Sequence, residues 1–244
     1  MVKVVCIVQA RMGSTRLPEK VLMSLSGKPM LVHIIERLKL AETLDSIVIA
    51  TTSLMQDDPV AELARREGVL CFRGSEDDVL SRYIGGAEMA GADVIVRITG
   101  DCPLIDPETV DNVVRCFLKH DYDYVSLTSA EGFIRGLDTE VFSMQALKKA
   151  DELAKDKPSR EHVTLYIYRH EEDFRVAAYR AGQELCHPDW RLCVDEEDDF
   201  KLIEKIYDRL YKPGSIIDIR DVVELLENEH ELLEINAHVR QKNV

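Results

Sequence analysis

No stretch of the sequence comes near the roughly 20 apolar residues that a bilayer-spanning helix requires, so no membrane span is expected. The chain enters a strand-like apolar run almost at once, without the charged and apolar regions or the cleavage site of a signal peptide. The cysteines lack any paired pattern. Six stand at 6, 71, 102, 116, 186 and 193, and no two make a C-x-x-C pair. That spacing argues against a zinc site and a secreted disulfide framework. Cys6 and Cys116 read as small core residues, and a reducing cytoplasm is the expected compartment. The two commonest nucleotide fingerprints are also missing: neither Gly-Lys-Ser/Thr at the Walker spacing nor G-x-G-x-x-G occurs. Positive charge is in short supply, with 31 Lys and Arg against 45 Asp and Glu, a formal net charge of −14. Non-specific binding to nucleic acid or to an anionic membrane is therefore not expected, although a local basic pocket is still allowed. No internal repeat, low-complexity linker or domain boundary is visible, and residues 1–244 are read as one domain.

What is present suits a soluble globular enzyme: 45% hydrophobic and 31% charged residues, in a chain long enough to bury a sizeable core. The stretch that organises it is the opening one. The unbroken apolar run Val4-Val5-Cys6-Ile7-Val8 leads into Gln9-Ala10-Arg11-Met12-Gly13-Ser14-Thr15-Arg16-Leu17-Pro18-Glu19-Lys20. Strands buried on both faces of a parallel sheet read as such continuous runs. Ligands of open α/β sheets sit at the loops leaving the carboxyl ends of those strands. Gly13 permits close backbone approach, Ser14 and Thr15 offer hydroxyls, and Arg11, Arg16 and Lys20 supply fixed positive charge. Such a loop suits an anion with several oxygens, a nucleoside triphosphate being the common case. The bland alternative is a solvated surface loop.

Strand and helix then alternate, the pattern of βαβ units on a parallel sheet. The spacing predicts a helix over 30–41, a strand over 46–52, a helix over 57–68 and a strand over 69–73. A helix over 77–91 and a strand over 92–98 follow. The second half is less regular. It reads as helices over 107–119, 143–153, 159–169, 198–211 and 218–226, with extended segments over 124–127, 137–142, 174–179 and 191–194. Ser159 is the expected cap of one of these helices, and Asp198 the cap or the helix-dipole partner of another. The apolar residues of the C-terminal helical stretch, among them Ile216, Val222, Leu226 and Leu232, suit either the chain's own core or a second subunit.

Acids follow two of the strands. The strand ending at Ile98 runs into Thr99-Gly100-Asp101-Cys102-Pro103-Leu104, which sets Asp101 on the same edge as the opening loop if the strands are parallel. A carboxylate facing bound phosphates is an ordinary Mg²⁺ position, because Mg²⁺ takes one or two carboxylates and completes its shell with phosphate and water. Helix capping is the alternative, with Asp106 before Pro107 the better cap. Asp195, in Arg191-Leu192-Cys193-Val194-Asp195-Glu196-Glu197-Asp198-Asp199-Phe200, is the natural second ligand or else part of a solvated acidic turn. Arg135-Gly136-Leu137-Asp138-Thr139-Glu140 sets alternate acids on one strand face, suited to a polyhydroxylated substrate or simply to solvent.

Together these motifs resemble the cytidylyltransferases that activate acidic sugars, above all the spore-coat polysaccharide biosynthesis protein F (SpsF) group. That group is related to the 3-deoxy-manno-octulosonate and acylneuraminate cytidylyltransferases. The matching segments lie at 9–22, 27–30, 97–104, 135–140 and 194–200, in the expected order. The resemblance implies an α/β nucleotide-diphospho-sugar transferase (GT-A-like) fold, a mixed, mostly parallel sheet between helices. It implies a CTP pocket formed by Ala10, Arg11, Gly13, Ser14, Arg16, Lys20 and Thr99, with Mg²⁺ at Asp101 and Asp195 and a homodimer. Arg11, Lys20 and Asp101 are the implied catalytic groups. Arg135, Asp138, Glu140, Arg160, Glu161 and His162 are candidates for the acceptor. Two departures stand out: Glu196 and Glu197 replace a Thr-Pro of the family pattern, and Thr99 stands where the octulosonate enzymes commonly carry Gln.

The expected reaction is attack of a sugar-acid hydroxyl on the α-phosphate of CTP, with loss of pyrophosphate. It leans on positioning and charge neutralisation. Three alternatives stay open at this point. One is a GT-A glycosyltransferase using a nucleotide sugar, although the D-x-D motif usual there is absent. Another is a nucleotidyltransferase acting on a sugar phosphate or phosphonate. The third is a nucleotide-binding subunit without activity.

Overall fold

A computed structural model describes residues 2–128, 132–180 and 182–241. From the N-terminus it forms β1 (Val4–Gln9), the two-residue strands β2 (Ser24–Leu25) and β3 (Lys28–Pro29), α1 (Met30–Leu38), β4 (Ser46–Thr52), α2 (Asp58–Arg66), β5 (Leu70–Gly74), α3 (Val79–Ala90) and β6 (Val94–Thr99). The second half continues with α4 (Pro107–Lys119), β7 (Tyr124–Leu127), β8 (Thr139–Ser143), α5 (Met144–Leu153), α6 (Lys157–Glu161), α7 (Leu165–Arg169), β9 (Val176–Ala178), α8 (Glu197–Leu210) and α9 (Ile219–Asn228).

Seven strands make one sheet in the order β5-β4-β1-β6-β8-β7-β9. The first four are mutually parallel, β8 is antiparallel to both of its neighbours, and β9 runs parallel to β7. This is the expected mixed, mostly parallel sheet. The continuous apolar run of β1 follows from burial on both faces. Val4, Cys6 and Val8 point into a core shared with α1, α2, α4, α8 and α9, while Val5 and Ile7 point into one shared with α3, α5 and α7. A fully buried aliphatic side chain contributes about 1.5–3 kcal/mol, so the central strand is where the sheet is held hardest. Ile219, Val222, Leu226 and Leu232 join the first core, which assigns the C-terminal stretch to the chain's own interior.

Four local expectations are corrected. The helix expected over 159–169 is two short ones, α6 and α7, because the chain breaks at Val163, which is buried with φ at +47°. A β-branched residue there is an outlier, and the break lets the His162 carbonyl accept from the amides of Thr164 (2.5 Å) and Leu165 (3.1 Å). Asp156, not Ser159, caps α6, its carboxylate accepting from the Ser159 amide at 2.9 Å. Residues 191–194 form no strand; one isolated bridge pairs Arg191 with Arg135, in the segment before β8. Asp198 lies in the first turn of α8, as a helix-dipole partner does, and is not its cap. Glu196 is the cap residue, and the Asp199 carboxylate reaches back to the amides of Asp195 (2.9 Å) and Glu196 (3.1 Å). Asp106 does cap α4, accepting from the Thr109 amide at 2.8 Å.

Candidate active site

Because β1 and β6 are adjacent and parallel, with Gln9 opposite Thr99, their carboxyl ends deliver two loops to one point. The Gly100 amide donates to the Gln9 carbonyl at 2.9 Å. A Cβ on Gly100 would lie 2.8 Å from that carbonyl oxygen and 3.0 Å from the Ala10 Cβ, so only glycine lets the loops meet so closely. The opening loop is pinned from beneath. The Met12 amide donates to the fully buried Asp57 carboxylate at 2.6 Å, and the Thr52 hydroxyl donates to the other oxygen of the same group. Glu19, at φ +60°, then turns the chain into a single 3-10 turn that begins with Lys20.

Lys20 is 8% exposed and points inward. Its Nζ donates to Asp101 Oδ2 (2.9 Å), Asp195 Oδ1 (2.9 Å) and the Val194 carbonyl (2.7 Å). Burial alone would lower the pKa of this ammonium, but the two carboxylates outweigh it and hold it above the usual lysine value. Burial likewise opposes ionisation of Asp101. The Lys20 charge and hydrogen bonds from Thr99 and Lys20 win, and the Asp101 pKa falls to about 2. Asp195 is gripped on its other oxygen by Arg16 (2.9 Å) and Arg191 (2.6 Å). Arg191 in turn bonds Asp199 (2.9 Å), and Asn236 ties both together. Asp195 is therefore part of a buried network, not of a solvated acidic turn.

Two cavities meet here. The first, about 430 Å³, is lined by Ala10, Arg11, Gly13, Ser14, Arg16, Lys20 and Thr99, together with Glu76, Asp77, Arg82 and Lys157. Arg11 pairs with Glu76 across it at 3.1 Å. All seven residues expected at the nucleotide thus line one cavity. The second, about 810 Å³, lies over the antiparallel part of the sheet. Its floor is one strand face, carrying Arg97 and Thr99 from β6, Glu140 from β8, Tyr124 and Ser126 from β7, and Val176 and Ala178 from β9. Arg135, Asp138, Tyr168, Cys102 and Cys193 complete much of the wall. Arg16, Thr99, Asp101, His162 and Asp195 line both cavities, so the two acids stand at their junction.

The residues expected at an acceptor separate. Arg135, Asp138, Glu140 and His162 line the second cavity, whereas Glu161 opens on the first. Arg160 lines neither; its guanidinium bonds Asp78 (2.5 Å) and Asp151 (2.6 Å) and ties α6 to α3 and α5. Glu140 is not on an exposed strand face. It is buried, ion-paired with Arg97, and accepts from Tyr124 (2.5 Å) and Thr164 (2.6 Å). These partners outweigh burial and hold its pKa below the usual glutamate value. Half-burial lowers the His162 pKa, which favours the neutral imidazole. Arg97, Arg191, Asp199 and Glu76 were missed as site residues. For Arg97 a signal existed: two residues before Thr99 on a strand, it must share its face.

Among the described residues, no three or more His, Cys, Asp or Glu side chains converge as a metal cage. Asp101 and Asp195 nevertheless converge on one point, since both lie 2.9 Å from the same Lys20 nitrogen, and that ammonium is itself a stand-in cation. Two carboxylates beside the cation-bearing opening loop fit Mg²⁺, which takes one or two protein carboxylates and completes its shell with phosphate and water. All six cysteines are free, and no helix among the described residues is long and apolar enough to cross a membrane.

Comparison with known proteins agrees with this geometry. An uncharacterized protein of Methanocaldococcus jannaschii is 41% identical over 99% of this chain and 97% of its own. The spore coat polysaccharide biosynthesis protein SpsF of Bacillus subtilis is 34% identical over 83% of this chain and 85% of its own. The solved structure of a cytidylyltransferase from Leptospira borgpetersenii superposes with a TM-score of 0.90 at 30% identity, covering 100% of both chains. A cytidylyltransferase family model matches residues 5–235. With that span matched and the nucleotide-sugar transferase type of sheet in place, the chain belongs to the cytidylyltransferases, enzymes that are CTP-dependent nucleotidyltransferases.

Proposed function

We propose that the enzyme moves the cytidylyl group of CTP onto a hydroxyl of a sugar acid or related polysaccharide precursor, as one domain over residues 1–244. The acceptor oxygen bonds to the α-phosphorus, the bond to the β-phosphate breaks, and pyrophosphate leaves. One observation carries this reading: a cavity lined by Arg11, Arg16 and Lys20 opens onto a second, polar cavity, and their common wall holds Asp101 and Asp195. A triphosphate in the first cavity and an acceptor in the second would bring the reacting atoms together at that wall.

In this reading Ala10, Gly13, Ser14 and Thr99 frame the nucleotide. Arg11, Arg16 and Lys20 neutralise the triphosphate and the departing pyrophosphate, where charge develops. Held by Asp101 and Asp195, Mg²⁺ would add charge neutralisation at the α-phosphate and lower the pKa of the attacking hydroxyl. Arg135, Asp138 and His162 orient the acceptor, and Arg97 and Glu140 form its polar floor. Arg160 and Glu161 drop out of the acceptor set on the placement described above. A reducing cytoplasm belongs to this reading, and the free thiols accord with it. A homodimer belongs to this reading on the general frequency of symmetric dimers; light scattering that returns a monomer at micromolar concentration removes it.

The deciding experiment is pyrophosphate release from each of the four ribonucleoside triphosphates, with Mg²⁺, against sugar acids and sugar phosphates. Release with CTP alone, dependent on a sugar acid and lost in Asp101→Asn, is the expected outcome. Release that requires a sugar phosphate would move the acceptor to the phosphorylated class. Phosphorus NMR of the product would then show a diphosphate linkage in place of a single-phosphorus diester.

A further inference from the structure

We infer that in the unloaded enzyme the Lys20 ammonium occupies the cation position between Asp101 and Asp195, so that divalent cation and triphosphate can load only together. The inference rests on the reading of these acids as a cation site. Three oxygens surround Nζ: one from each carboxylate at 2.9 Å and the Val194 carbonyl at 2.7 Å. An ammonium has three protons, and all three are used. None is left for a phosphate in the first cavity, so a lysine that is to hold phosphate must first let go of the acids.

The surroundings make the same point by charge. Asp195 already faces Arg16 (2.9 Å) and Arg191 (2.6 Å) on its second oxygen. Glu196 (3.4 Å from Arg16) and Asp199 (2.9 Å from Arg191) bring the cluster close to balance, four carboxylates against three cations, and with Asp101 Oδ1 taken by the Thr99 hydroxyl (2.5 Å) a bare divalent ion arriving alone finds its place held by the ammonium. Removing Lys20 without replacement would strand two largely buried carboxylates, which is costly. An incoming triphosphate changes both balances. It offers the ammonium new oxygens, and it brings negative charge to Arg16. Lys20 has a flexible four-carbon stem for the movement. The cradle it leaves is rigid: the Val194 amide donates to the Asp101 carbonyl at 2.8 Å, and Asp199 fixes the Asp195 amide at 2.9 Å. The coupling is reciprocal, so each ligand must raise affinity for the other by the same factor.

The test uses Mn²⁺ as probe, its binding read by loss of the free-ion electron paramagnetic resonance signal, on the whole protein without nucleotide. Wild type is expected to bind weakly, and Lys20→Met at least tenfold more tightly. The gain should vanish in Lys20→Met combined with Asp101→Asn. Equal Mn²⁺ affinity in wild type and Lys20→Met overturns the inference. Should Lys20→Met be poorly folded, its thermal melt with and without Mn²⁺ still decides. Mn²⁺ is expected to raise the variant's Tm well beyond that of wild type, because a ligand bound only by the native state stabilises it. A variant that Mn²⁺ leaves unfolded also overturns the idea. The proposed activity is judged separately. Unchanged Mn²⁺ affinity beside normal CTP turnover by wild type refutes only the exchange. Tightened Mn²⁺ binding beside no turnover of any triphosphate refutes only the cytidylyl transfer.

Discussion

The parallel and antiparallel parts of the sheet build their cavities by different means. In the parallel part, β5-β4-β1-β6, the inner strands β4 and β1 are buried apolar ribs, β5 is a partly exposed edge, and the polar groups of the first cavity sit mainly on loops beyond the carboxyl ends. From β6, which borders both parts, across the antiparallel side the strands themselves supply the cavity floor, with Arg97, Glu140, Tyr124 and Ser126 on one pleated face. The first arrangement sets charges by loop backbone and ion pairs at a rim. The second sets them by the twofold alternation of a strand, in a wall that cannot shift without moving the sheet. The rim suits a flexible, highly charged triphosphate, and the floor suits shape-dependent choice of an acceptor.

The strongest way to test that contrast is at the rim. Asp101→Asn is expected to lower turnover by about 10²–10³-fold, the usual cost of losing one electrostatic stabiliser, with its far-ultraviolet circular dichroism unchanged. A fully active Asp101→Asn enzyme would end its assignment. Lys20→Ala should lose turnover to a similar degree. From the sequence alone its fold would be expected to survive untouched, but the buried ammonium between two acids revises this. Urea denaturation should show a loss of about 1–3 kcal/mol as well.

On the floor, the expected order of effects reverses. Glu140→Gln removes the partner of the buried Arg97 guanidinium, and breaking a buried pair costs about 3–5 kcal/mol. Its catalytic signature should be a raised KM for the acceptor with the KM for CTP little changed. Equal rises in both would contradict the division between the cavities. Gly100→Ala probes the seam between the two loops. A methyl group 2.8 Å from the Gln9 carbonyl must push them apart, at about 1–3 kcal/mol by chemical denaturation. The smallest effect is the one read against pH. The Asp101 pKa is lowered from 3.8 to about 2 in the folded protein. A depressed carboxylate stabilises above its unfolded pKa, and this contribution is lost as pH falls through the folded value. The Tm advantage of wild type over Asp101→Asn should therefore hold above pH 4 and shrink as the pH falls to about 2. A constant gap across that window would mean that Lys20 does not hold the charge.

Legibility followed the same line. The parallel part was readable because each of its signals is contiguous. A run such as Val4 to Val8 is buried on both faces by helices, and the loop that follows carries its cations within a dozen residues. The floor of the second cavity was hard to read because its residues come from four strands and are neighbours only across the sheet. Glu140 read as one of two acids on a strand face, for a polyhydroxylated substrate or simply for solvent; pairing of β8 with β6 set it beside Arg97 in the second cavity. The helix expected over 159–169 failed at Val163, where a strained turn overrides an uninterrupted helical pattern and delivers His162 to the junction.

By itself the sequence determined the alternation of strands and helices, the cation-bearing loop after the first strand and the acids placed after later segments. These rest on local burial period and on charges carried by neighbouring residues. Only the tertiary structure decided that Lys20 bonds Asp101, 81 positions on, and Asp195, 175 positions on. Sheet order set that meeting: parallel β1 and β6 bring their carboxyl ends together, and the bond from the Val194 amide to the Asp101 carbonyl docks the late segment onto them. No local pattern encodes a contact whose strength comes from burial shared by segments so far apart, and the junction of the two cavities is such a contact.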